Sequence, residues 1–169
     1  LLAEARTILA QVERAEMLLR DFEMLERGTL AVYASQTIAS YWLPRHLVAF
    51  HRAYPRIDIR LRIGNTAQVA EAIETGTAEL GFVEGAIESE QLESIAVARD
   101  QLVLVVGPQH PWAKTAPGPK RLTDSEWVLR EPGSGTRSVF EHALSQLGVP
   151  LERLRIALEL PSNEAVRAA

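Results

Sequence analysis

Between Leu1 and Phe22 the apolar residues Leu1, Ala5, Ile8, Val12, Ala15, Leu19 and Phe22 recur at alternating spacings of four and three, which gives the a/d seam of three heptads. Leu2, Leu9, Leu18 and Leu25 widen this stripe, while Arg6, Glu13, Arg14, Arg20 and Asp21 fall mostly on the other side. A helix of this pattern leaves a broad apolar face exposed unless a second helix covers it. Residues 1–27 therefore read as a linker helix that dimerises, the alternative being a helix packed on its own domain. Gly28 is placed to end it as a C-terminal cap.

After Gly28 the period changes to two. Thr29 to Ala34 sets Leu30 and Val32 inward and predicts a strand, and Ile57, Ile59, Leu61 and Ile63 alternate with Asp58, Arg60 and Arg62 in a second. Between them the pattern predicts a short helix over Ile38 to Trp42, an interruption at Pro44, and a helix from Pro44 to Ala53, with Tyr54 and Pro55 as the stop. Asn65 and Gln68 match a capping box for a helix over Thr66 to Thr75 that Gly76 closes, and Leu80 to Val83 predicts a third strand. Strand, helix, strand, helix, strand with short connections is the order of a parallel α/β sheet, whose ligands bind at the carboxyl ends of the strands. Ser35, Gln36 and Thr37, then Asn65 and Thr66, then Val83 and Glu84 all fall at such ends. Ser35 or Thr37 could be a plain helix cap, yet two hydroxyls and a glutamine exceed what one cap requires. For Asn65 the plain cap is the stronger reading, and a ligand contact would be additional.

A second apolar run, Ile95 to Val106, is long enough to pass from one sheet into another, with a hinge near Ala96 to Asp100. The pattern divides the rest into residues 28–96 and an incomplete second subdomain over 97–169. GPQHPWA and the stretch from Lys114 to Lys120 read as a surface excursion. Trp127 to Arg130 predicts a strand, followed by Glu131 to Arg137 and an amphipathic helix through Leu147. Here Gly133 and Gly135 let the backbone approach a ligand, Ser134 and Thr136 offer hydroxyls, Arg137 adds charge, and the helix start favours an anion. The plainer alternative is a capped glycine-rich loop with Arg137 in solvent. Arg153 to Leu160 predicts one more strand, and Pro161, Ser162 and Asn163 start a further helix.

Composition narrows the function. The 169 residues are 47% hydrophobic and 24% charged, the balance of a globular chain, and no apolar run reaches the length needed to span a bilayer. Glu4 and Glu13 fall where a signal peptide would be basic or apolar, so the expectation is a cytoplasmic protein without membrane contact. The absence of cysteine excludes disulfides, a thiol nucleophile and cysteine metal sites. A net charge of −4 gives no general attraction for nucleic acid. None of the G-x-S-x-G, phosphate-loop, G-x-G-x-x-G or H-E-x-x-H motifs occurs, and His46, His51, His110 and His142 are scattered and read as ordinary surface residues. Glu84 and Glu131 both follow strands, where acids more often orient arginines or face water. The expectation is a binding protein with no catalytic residue, metal or cofactor.

These stretches resemble a LysR-type transcriptional regulator lacking its N-terminal DNA-binding domain. The resemblance runs through G-x-L-x-V at Gly28 to Val32, the hydroxyl turn, Leu43-Pro44, Tyr54-Pro55, Gly64-Asn65-Thr66, Gly76, HPWA, LTDSEWVLREPGSGTR and LELPSNEAVRAA. Glu79 departs from it, since the family usually has aspartate before its third strand, and the family's domain normally continues past Ala169. The resemblance implies two Rossmann-like subdomains of the type II periplasmic-binding-protein kind, with an effector between them. One wall would be Ser35, Gln36, Thr37, Asn65, Thr66 and Glu84, and the other Gly133, Ser134, Gly135, Thr136 and Arg137. It further implies an inorganic oxyanion, a phosphorylated compound or a carboxylate as effector, a homodimer or homotetramer, and DNA bound through a winged helix-turn-helix domain outside this chain. Effector binding would favour closure, passed on by the linker helix. A solute receptor for transport shares this fold but would begin with a leader or lipid anchor, and an enzyme on the same scaffold would need a converging acid or base.

Overall fold

The structure, a computed structural model, describes residues 9, 12, 27–87 and 89–169. The heptad seam thus lies outside the described residues except for Val12, which is helical and half exposed, and so does the helix end that Gly28 was expected to cap. Contacts divide the chain into two units, Leu1–Ser94 and Ile95–Ala169.

In the first unit, strand β1 (Gly28–Ser35) lies between β2 (Ile57–Gly64) and β3 (Leu80–Phe82), parallel to both. Its central place explains why Val32, Ala34 and Ser35 are buried, whereas edge strand β2 keeps the alternation of the sequence, with Asp58, Arg60 and Arg62 exposed. Ile63 breaks the expected pattern by being half exposed. Glu79, the family's unusual residue, accepts the Ala31 N–H on its carboxylate at 2.6 Å and donates its own N–H to the Ala31 carbonyl at 3.0 Å, which fastens β1 just ahead of β3.

Pro44 does not separate two helices. A π-helical turn at Ile38–Trp42 runs directly into helix α1 (Leu43–Ala53), and the Leu43 N–H reaches the Ile38 carbonyl. A proline lacks the N–H and crowds the carbonyl four residues back, so a widened turn takes up the strain and the chain continues helically. This bulge turns Ala39 and Leu43 onto Val32 and Ala34, with Leu30, Trp42, Leu47, Ile59, Leu61 and Phe82 packed around them. Burying side chains of this size stabilises by about 1.5–3 kcal/mol each. Helix α2 (Thr66–Glu74) follows β2 and has the expected capping box, and Gly76 at φ +68° turns the chain out of it.

The expected strand within Ile95 to Val106 does not form, because no second strand pairs with it among the described residues. Ile95, Val97, Leu102, Val103, Leu104 and Val105 all stay exposed.

In the second unit β4 (Glu126–Arg130) and β5 (Arg155–Leu160) form a parallel pair, followed respectively by α3 (Gly135–Gln146) and α4 (Asn163–Ala168). Trp112, Leu122, Trp127, Leu129, Leu144, Val149 and Leu154 make its core. His46, His51 and His142 are exposed, but His110 is not an ordinary surface residue. Its Nδ1 accepts the Trp112 N–H at 3.2 Å and its Nε2 lies 2.9 Å from the Ser125 hydroxyl, so the ring holds the HPWA turn that sends Trp112 inward.

Candidate functional site

Both sheets end their strands level, and the predicted site residues follow those ends. Ser35 pairs with Gly64 and Ala34 with Phe82, so Ser35, Asn65-Thr66 and Val83-Glu84 share the carboxyl edge of the first sheet. Ser35 is 4% exposed, and its hydroxyl has no hydrogen-bond partner among the described residues. Thr37, offered as an alternative cap, is already helical at φ −63° and makes no capping bond, and Gln36 also lies within the helical turn. Asn65 does cap: its side chain accepts the Gln68 N–H at 3.0 Å, while Gln68 returns the bond to the Asn65 N–H at 2.9 Å. The Thr66 hydroxyl donates to the Glu84 carbonyl at 3.4 Å and ties the start of α2 to the loop after β3. Glu84 Oε1 is buried without a partner. An unsatisfied buried polar atom costs about 1–3 kcal/mol, so two at one sheet edge mark a place where the fold yields stability.

In the second unit Arg130 pairs with Leu160, which sets the loop Glu131–Ser134 beside Pro161–Asn163. Gly133 has φ +85°, a conformation that favours glycine, and from there the Ser134 N–H reaches back to the Glu131 carbonyl at 3.2 Å. Ser134 occupies the cap position of α3 and is 2% exposed, yet its hydroxyl makes no capping bond. Gly135 is buried and Thr136 half-buried.

Arg137 does not face solvent. Its guanidinium is buried, with Nε on Glu141 and Nη1 both 2.8 Å from Glu159 and 3.0 Å from the Arg130 carbonyl. Burial lowers its pKa, but the bonds to Glu141 and Glu159 and their charges outweigh this and hold it above its ordinary value. Two carboxylates therefore already balance the charge that the sequence reading assigned to a ligand. Arg130 is buried too: Nε and Nη2 grip the Glu131 carboxylate at 2.8 and 3.0 Å, and Nη1 donates to Asn163 Oδ1 at 3.1 Å. Asn163 in turn donates from Nδ2 to the Thr136 hydroxyl at 3.3 Å. Sequence reasoning missed Arg130 and Asn163 as members of this edge. The signal available was that both stand within three residues of a strand end.

A cavity of about 650 Å³ lies elsewhere in the first unit, against Leu47, His51, Arg52, Ile57, Ile59 and Leu61. It is built from the opening half of β2 and the closing half of α1, away from the strand ends. Among the described residues no cluster could hold a metal ion, and no helix is long and apolar enough to cross a membrane.

A family model described as the LysR substrate binding domain matches residues 24–169. The chain belongs to the LysR family. This LysR domain is 32% identical over 165 residues to the HTH-type transcriptional regulator YeiE of Escherichia coli (strain K12), covering 98% of the chain and 54% of that protein. It thus spans about half the length of the curated relatives it matches, and those relatives are transcriptional regulators rather than enzymes. Among solved structures it is similar to the regulatory domain of CcmR from Synechocystis PCC6803 in complex with 2-PG, at TM-score 0.73 and 30% identity, covering 85% of this chain and 67% of that one. The effector-binding domain of QuiR in complex with shikimate has the same fold at TM-score 0.73 and 17% identity, covering 83% of this chain and 68% of that one. The LysR domain is accordingly an α/β effector-binding domain of the periplasmic-binding-protein kind.

Proposed function

We propose that this LysR domain senses a small anionic metabolite through its two strand-to-helix turns. Ser35, Gln36, Thr37, Asn65 and Thr66 contribute from the first sheet edge, and Gly133, Ser134, Gly135 and Thr136 from the second. Glu84 accepts a hydrogen bond from a hydroxyl on the same ligand, and Arg137 supports the second loop from beneath. The observation that carries the reading is the pair Ser35 and Ser134: both are almost fully buried at a strand-to-helix turn, and neither spends its hydroxyl on a cap. The complex of CcmR with 2-PG, at 30% identity, supports an anion as the ligand class. A hydrogen bond to a charged group contributes about 1.5–3 kcal/mol, so each hydroxyl is worth roughly ten- to hundredfold in affinity.

Calorimetry with 2-PG, inorganic phosphate, sulfate and short carboxylates provides the test. The wild-type chain is expected to bind at least one of them, and Ser35→Ala and Ser134→Ala each to weaken that binding by tenfold or more. Unchanged affinity in both variants, or no binding by the wild-type chain, overturns the proposal.

The heptad seam of Leu1, Ala5, Ile8, Val12, Ala15, Leu19 and Phe22 motivates the second half of the reading. Residues 1–27 join two copies and carry the effector signal to a DNA-binding domain of the parent regulator. Sedimentation of the chain beginning at Arg27 is expected to give a smaller species than the full chain, and equal species sink this half.

A further inference from the structure

Thr136 reaches the ligand turn with its hydroxyl already oriented, and the residues that orient it are Arg130 and Asn163. A guanidinium has five N–H donors and no acceptor, so the Asn163 amide atom 3.1 Å from Arg130 Nη1 must be the carbonyl oxygen. That fixes an amide whose two ends are otherwise hard to tell apart. Its NH2 therefore faces Thr136 Oγ1, at 3.3 Å, and donates to it. Arg130 cannot turn to offer anything else, because it is 5% exposed and its other nitrogens are held by both oxygens of Glu131. The Thr136 oxygen thus accepts from within the protein, and its proton has no acceptor among the described residues.

We infer that Arg130 and Asn163 are positioning residues that make Thr136 an obligatory donor, so that the second turn selects a ligand atom that can only accept: an oxygen of a carboxylate or oxyanion, not a hydroxyl or ammonium. This rests on the anion reading above and adds direction to it. Glu84, whose carboxylate can only accept while ionised, selects the opposite polarity at the first edge, so the two turns together specify an anionic group and a separate hydroxyl on one ligand.

Asn163→Asp tests this with little change of shape. The new carboxylate still accepts from Arg130, but it also accepts from Thr136, whose proton turns inward and whose lone pairs then face the ligand. The full chain is titrated with whichever of 2-PG, phosphate and sulfate it binds, in four forms: wild type, Asn163→Asp, Thr136→Val, and both together. Expected are losses of at least tenfold for each single variant and a double variant no more than about threefold below the weaker single one, since both remove the same donor. A second readout needs no ligand: the side-chain amide NMR signal of Asn163 shifts in Thr136→Val. Multiplying losses in the double variant, or an unmoved Asn163 signal, overturn the inference. If Ser134→Ala weakens binding while Thr136→Val does not, the anion reading stands and this inference fails; if no probe binds the wild-type chain, both fall.

Discussion

Asn65 uses its side chain once and its backbone once in the same box: Oδ1 takes the Gln68 N–H while its own N–H is taken by Gln68 Oε1. Asn65→Ala removes the first bond and leaves an unpartnered donor in the opening turn of α2. A lost cap of this kind costs about 1 kcal/mol, so the urea midpoint is expected to fall with an unchanged slope. An unchanged midpoint would show that the box contributes nothing. Arg137 has a different energetic signature. Its pKa is held above the ordinary arginine value by Glu141 and Glu159 against the lowering effect of burial. A cation raised in this way contributes its full stability below the unfolded pKa and loses it only as pH rises through the folded one, so it stabilises throughout the neutral range. Ser35 and Ser134 contrast with both, since nothing in the fold repays their burial.

Elements differ in how plainly the sequence announces them. Both edges of α2 were legible, because Asn65, Gln68 and Gly76 are local signals whose partners lie within a few residues. The strands β1 and β2 were legible from Leu30 and Val32 and from Ile57, Ile59 and Leu61, since burial of one face imposes a period of two. The π turn before α1 was not. Pro44 announces a disturbance, but whether the chain breaks or widens depends on whether Ala39 and Leu43 find a surface to pack on, and that surface is β1. Strand character at Gln101 to Val106 misled for the converse reason: its local composition is that of a strand, but a strand also needs a paired neighbour.

For the molecule as a whole, the fold class and the two turns could be read from the chain, while the side chains that orient them could not. Arg130 and Asn163 are 33 residues apart and meet only because β4 and β5 pair. The direction of the Arg137 charge was hidden likewise, since Glu159 arrives on a later strand. The exposed run after Ser94 has a practical consequence at this scale. Val97, Val103 and Val105 are each more than 60% exposed, and Gln101 to Val106 carries no charge and no proline. Short uncharged segments of this composition stack into intermolecular β-sheets. Val103→Lys is expected to raise the concentration at which the purified chain first scatters light, and an unchanged threshold would clear this segment. The stretch that fails to become a strand in one molecule is thus the natural seed of a fibril made from many.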